Sequence, residues 1–154
     1  MDLGDLMTRD AVLCCLKVAN KKQALEELAQ AAAPLAGIEA KELFNSLLQR
    51  ERLGSTGLGR GIAVPHVHVK GLKRIVCLFA KLSTPVDFEA PDNQPVDLMF
   101  LLLSPDHASG DHLKTLARIS RLVRDTAMID RLRAAKDVEG LRHVLMPKKA
   151  PHAA

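Results

Sequence analysis

The chain has 154 residues, of which 47% are apolar and 26% charged, with a formal net charge of +4; a chain of this length buries roughly two thirds of its unfolded surface around one core. Those fractions lie near globular averages and exclude wholesale disorder and fibrous classes. Trp and Tyr are absent and aromatics reach only 3%, so no stacking platform exists for single-stranded nucleic acid, and basic residues are too dispersed, apart from Lys148 and Lys149, for a duplex-binding stripe.

The acidic first ten residues, with Asp2, Asp5 and Asp10, lack the basic and apolar regions of a secretory signal. No apolar run approaches the ~20 residues of a membrane span. Cys14, Cys15 and Cys77 all fall in apolar segments without CxxC spacing, which predicts reduced core thiols. A cytoplasmic protein without membrane insertion is the expectation.

In chain order, Ala11 to Val18 reads as a mostly buried strand. Asn20 followed by Gln23 resembles a capping box, opening a helix to about Ala36 that Gly37 ends. A second helix is predicted from Glu39 to Arg52, its apolar stripe made by Leu43, Phe44, Leu47 and Leu48. The segment GSTGLGRG, from Gly54 to Gly61, reads as a loop leading into the short strand Ile62 to Val64, with Pro65 and His66 at its end.

Arg74 to Leu82 and Val96 to Leu103 read as strands, the latter central, joined across the surface by STPVDFEAPDNQP. A helix from Asp111 to Arg124 is predicted to turn Leu113, Leu116, Ala117 and Val123 inward. Short helices at 127–135 and 138–145 follow. Residues 1–146 are expected to form one α/β domain, a central mixed sheet flanked by helices, with 147–154 as a flexible tail.

The glycine loop invites a phosphate reading, but both the Walker and the dinucleotide patterns require a strand, then the loop, then a helix. Here the order is helix, loop, strand, so no nucleotide cofactor is expected. A loop of this kind can turn backbone N–H groups, including that of Gly57, and the hydroxyls of Ser55 and Thr56 toward an anion. A merely tight connection uses the same glycines.

His66 stands behind Pro65, which fixes its own φ and favours an extended Val64. An imidazole with an ordinary pKa near ~6.5 keeps a nucleophilic lone pair at pH 7 once its other nitrogen is held by an acceptor. His112, in the first turn of its helix, lines up with Leu116, Ile119 and Val123 and so faces the body of the protein. There a neutral imidazole can donate to an anion drawn by the helix N-terminus. Arg50 and Arg52 flank the stripe of the second helix, and periodicity does not choose between them.

Three stretches, RERLGSTGLGRGIAVPH (50–66), PVDFEAPDNQPVDLMFLLLSP (85–105) and DHLKTLARISRLVRD (111–125), resemble the fructose/mannitol and nitrogen-regulatory enzyme IIA domains of the bacterial phosphoenolpyruvate-dependent phosphotransferase system. The GSTGLG loop is more similar to the nitrogen-regulatory branch. The resemblance implies a cytoplasmic phosphoryl carrier in which His66 takes a phosphoryl group from a histidine phosphocarrier protein and carries it as tele-phosphohistidine. It also implies that Arg50, the first residue of the R-E-x-L stretch, and His112 support the site, and that partners are regulated according to phosphorylation state. Val67 and His68 follow His66 where the family often has a small or polar residue, which leaves His68 without an assigned role.

Two alternatives remain open at this stage. One is a sugar-specific IIA component passing phosphoryl to a IIB domain. The other is a metal-dependent hydrolase in which His66 and His68, two apart on a strand, join His107 or His112; no carboxylate completes a ligand spacing, so no metal is expected.

Overall fold

The structure, a computed structural model, describes residues 7–107 and 109–147; Met1 to Leu6 and the tail beyond 147 lie outside the described residues. A 3-10 turn at Arg9–Ala11 leads into β1 (Val12–Leu16), followed by α1 (Lys21–Ala36) and α2 (Ala40–Arg52). The cap of α1 forms as its sequence predicts: the Asn20 side chain accepts from the Gln23 N–H, and the Gln23 side chain accepts from the Ala19 N–H at 2.8 Å. Gly37, at φ +69°, ends the helix in the left-handed conformation that a Cβ disfavours.

The glycine segment is more than a loop. Gly57–Gly59 forms β2, which turns through Arg60 and Gly61 and pairs antiparallel with β3 (Ile62–Ala63). After Val64 and Pro65 the chain resumes as β4 (His66–Val69), so His66 opens a strand, whereas the sequence reading put it at a strand's end. Pro65 causes the interruption because it has no N–H to give a ladder. Its carbonyl still accepts from the Leu102 N–H at 2.9 Å, so the path along the neighbouring strand is kept.

β5 (Val76–Val86) and β6 (Val96–Pro105) pair antiparallel. The first eats into the expected surface connection, since Ser83 to Val86 continue the strand. The remainder of that connection is tethered by Phe88, fully buried in the core. The sheet order is β1-β5-β6-β3-β2, with β4 also on β6 and β1 parallel to β5. One edge of β6 therefore carries β3 along its first half, Ile62 opposite Leu98, and β4 along its second, His66 opposite Leu102 and His68 opposite Ser104.

β6 is buried along nearly its whole length, as its unbroken apolar run requires of a central strand. Aliphatic side chains dominate the core, and Phe79 meets Phe100 edge to face at 5.0 Å between centroids. The sheet is flanked by α1 and α2, then by α3 (Ser109–Leu122), α4 (Thr126–Ala134) and α5 (Val138–Leu145). The fold is thus the single-domain α/β arrangement expected, with a mixed six-stranded sheet.

Two expectations need correction. On α3 the inward stripe is His112, Thr115, Ile119 and Val123, while Leu113 is 66% exposed and Ala117 also faces solvent. Leu113 precedes Ile119 by six positions, which at 100° per residue puts it about 120° round the helix from that residue, off the buried stripe. Cys14 and Cys15 are not core residues: they lie side by side on the edge strand β1, Cys14 partly buried and Cys15 exposed, and Cys77 alone is a buried thiol among the described residues. Burial pushes the Cys77 thiol up to about 12, so it is inert as a nucleophile.

Candidate functional site

The site lies where β4, the start of α3 and the end of α2 meet. His66 is half-buried, and its Nδ1 lies 2.7 Å from the Val64 carbonyl oxygen. A carbonyl only accepts, so Nδ1 carries the proton and the lone pair of the neutral ring sits on Nε2. The bend at Val64 and Pro65 makes this contact possible, because it brings a carbonyl two residues upstream beneath the ring. Burial holds the imidazole's pKa below the ordinary value. The Val64 carbonyl opposes that shift, Arg50 and His68 add to it, and Glu51 opposes it. The ring is thereby kept neutral and nucleophilic.

His112 is 6% exposed, and its ring centroid is 5.5 Å from that of His66. Its Nδ1 lies 2.5 Å from the Oγ of Ser104, a residue with no solvent exposure at the end of β6. The Ser104 hydroxyl can donate to Nδ1, an arrangement that puts the proton of neutral His112 on Nε2. His112 is held to about 4, first by burial and then by the nearby His68 and His66. It is a neutral donor at pH 7.

Arg50, in the last turn of α2, spends Nη1 on the Gly54 carbonyl at 3.0 Å, and its charge reaches His66. The structure thus brings His66, His112 and Arg50 to one place. Their neighbours Ser55, Thr56 and Gly57 are arranged differently from an open anion cradle. The Thr56 N–H and hydroxyl both donate to the Glu51 carboxylate, Ser55 donates its hydroxyl to the Phe88 carbonyl at 2.6 Å, and the Gly57 N–H donates to the Ser55 Oγ at 3.0 Å. These donors are committed within the protein.

Sequence reasoning missed Glu51, Lys21 and Ser104. Glu51 is 7% exposed, and Lys21 reaches it at 3.3 Å from the start of α1 while lying over the Phe88 ring. For Ser104 a signal was present, a hydroxyl closing the apolar run Leu98 to Leu103. For Glu51 there was none, since a carboxylate between two arginines at a helix end reads as solvated.

His68 belongs to the same cluster. Its Nδ1 lies 3.3 Å from the Pro105 carbonyl oxygen, and its ring centroid is 4.3 Å from that of His112. Among the described residues no group of three or more His, Cys, Asp or Glu is arranged to hold a metal ion, so the hydrolase alternative finds no ligand set. No described helix is long and apolar enough to cross a membrane.

Residues 5–147 match the family described as phosphoenolpyruvate-dependent sugar phosphotransferase system, EIIA 2. The nitrogen regulatory protein of Bradyrhizobium diazoefficiens is 51% identical over 145 residues, covering 94% of this chain and 95% of the relative. The fructose-specific EIIA component of Haloferax volcanii is 30% identical over 128 residues, covering 82% of this chain and 83% of the relative. The crystal structure of the nitrogen regulatory protein IIA-Ntr from Neisseria meningitidis has a TM-score of 0.87 at 32% identity, covering 94% of this chain and 99% of that one. The chain therefore belongs to the EIIA 2 family of the phosphoenolpyruvate-dependent sugar phosphotransferase system, a family of phosphotransfer components.

Proposed function

We propose that the chain is a regulatory phosphoryl carrier that accepts phosphoryl from a histidine phosphocarrier protein onto Nε2 of His66. The observation that carries this reading is the 2.7 Å contact of His66 Nδ1 with the Val64 carbonyl, which directs the lone pair to Nε2. Nε2 attacks phosphorus in line. The new N–P bond forms as the donor's N–P bond breaks, and the donor imidazole departs with the bonding electron pair. His66 keeps its Nδ1 proton and its bond to Val64 throughout.

The phosphoryl group brings about −1.5 to −2 charges, which need charge-assisted partners. His112 supplies Nε2–H and Arg50 supplies its guanidinium. Ser55, Thr56 and Gly57 hold the shape of the adjoining loop. Leu53, three residues after Arg50, and Leu113, next to His112 in the chain, are respectively 85% and 66% exposed and offer the incoming carrier an apolar rim. The regulatory reading is supported by the relative named a nitrogen regulatory protein, which is more similar over a longer span than the fructose-specific one.

Incubation with phosphoenolpyruvate and the upstream phosphotransfer proteins should label the wild type and leave His66→Ala unlabelled; an undiminished phosphoramidate signal in the variant would sink the assignment. Partner capture with His66→Asp and His66→Ala then tests regulation, since identical partner sets argue against it. Passage of phosphoryl to a IIB domain would favour the sugar-transport alternative.

A further inference from the structure

His68 is left over from the site as assigned, and its construction repeats that of His66. Both rings belong to β4, two residues apart and so on one face of the strand. In both, Nδ1 is directed at a main-chain carbonyl, that of Val64 for His66 and that of Pro105 for His68. Both rings pack near His112, at 5.5 Å and 4.3 Å between centroids. The difference is exposure: His66 is half-buried, and His68 is open to solvent.

We propose that His68 is a third phosphoryl-contacting residue, which takes up a proton on Nε2 when phosphoryl arrives on His66 and then donates that N–H to a phosphoryl oxygen. The inference rests on the proposed phosphorylation of His66. With Nδ1–H given to Pro105, neutral His68 presents a lone pair at Nε2 and has nothing to donate, so contact with an anion requires the imidazolium. An anion placed beside an imidazole favours its charged form. Exposure keeps the route to the solvent proton open.

The other groups around the cluster leave this task to His68. His112 stays neutral because burial, and then its histidine neighbours, hold it so. Arg50 already holds the Gly54 carbonyl with Nη1. Glu51, the nearby acid on α2, is occupied by Thr56 and Lys21. From β6 the contact to His68 is the Pro105 carbonyl. His68 is thus the cluster's exposed base, and the phosphorylated state gains a counter-charge that the free state lacks.

The test measures the equilibrium constant for phosphoryl exchange with the phosphocarrier protein between pH 6 and 8.5, for wild type, His68→Gln and His68→Ala. At pH 7 both variants should lose about tenfold in that constant, the worth of one charge-assisted hydrogen bond. The wild-type advantage should shrink toward pH 8.5 as the imidazolium is lost. Ring 15N shifts should show Nε2 of His68 protonated at pH 7 in the phosphorylated protein and less so in the free one. Wild-type constants in both variants at every pH, or a neutral His68 beside phosphorylated His66, overturns the proposal. So does label that persists in His66→Ala and vanishes in the double variant, which would make His68 an acceptor. A wild type that takes no label at all overturns the phosphorylation reading as well, whereas label on His66 with a silent His68 overturns this inference alone.

Discussion

The Glu51 carboxylate receives both the main-chain N–H and the hydroxyl of Thr56, at 3.0 and 2.7 Å for the shortest contact of each. One acid thereby closes the five-residue path from the end of α2 to the start of the β2–β3 hairpin, and Lys21 at 3.3 Å ties that closure to α1. Removing one partner of a buried ion pair leaves the other uncompensated. Lys21 keeps some solvent contact and the Phe88 carbonyl, so Glu51→Gln should cost about 2 to 3 kcal/mol, below the usual loss for a fully buried pair. Urea unfolding should show a lower midpoint at unchanged slope. Glu51 also favours the protonated form of His66, so its loss leaves the ring more neutral, and phosphoryl transfer should fall by no more than the unfolded fraction explains.

His112 makes stability depend on pH. In the folded protein it is held to about 4 by burial and by its histidine neighbours, while the unfolded chain restores the ordinary ~6.5. Between those values the unfolded state binds a proton that the folded state does not, so stability rises with pH. Acidification from pH 6.5 to 4 should therefore remove at most about 3 kcal/mol, with no further loss from this group below its folded value. His66 is shifted in the same direction and adds to the slope. Chemical denaturation across that range should give a shallower slope for His112→Gln than for wild type; equal slopes would refute the attribution. Ser104→Ala leaves Nδ1 of His112 without its donor and should cost about 1 to 3 kcal/mol.

Leu53 and Leu113 are large, apolar and exposed, and neither contributes to the core. Truncating both to Ala should leave the unfolding midpoint within error. If they form the rim on which the phosphocarrier docks, KM for that carrier should rise about thirtyfold while the maximal rate changes little, since each of the two anchors at such an interface is worth about 1 kcal/mol. An unchanged KM would place docking elsewhere.

The elements whose signals are local were legible from the chain. The Asn20 and Gln23 cap, the Gly37 stop and the apolar run of β6 each carry their information within a few residues. The β2–β3 hairpin was not legible, because Gly57-Leu58-Gly59 has no strand composition and pairs only because Ile62 and Ala63 are held by β6. Leu113 was misjudged because hydrophobicity was read ahead of helical phase, and the stripe contains His112 and Thr115 in its place. Of the site, His66, His112 and Arg50 could be named from the family resemblance. The partners that set their chemistry lie close in sequence, Val64 two residues before His66 and Ser104 eight before His112, but the contacts depend on the bend at Pro65 and on how α3 turns back over the end of β6, which residue type alone does not record.

Gly57 separates two roles for its loop. A Cβ at this position would stand 2.8 Å from the Ala90 Cβ and 3.1 Å from the Ala90 Cα, a contact with the rigid β5–β6 connection that real Cβ atoms essentially never make. Gly57 is therefore glycine because two backbones approach there. Gly57→Ala should push the hairpin away from Ala90, cost about 1 to 3 kcal/mol as overpacking does, and strain the Ser55 hydroxyl that bridges Phe88 and Gly57. Ser55→Ala removes that bridge without overpacking. If the loop acts by holding its shape, phosphoryl transfer in the two variants should fall in the order of their stability losses, read by denaturant midpoints beside transfer rates. If Ser55 instead contacts the phosphoryl group directly, Ser55→Ala should lose more transfer than Gly57→Ala while remaining the more stable protein.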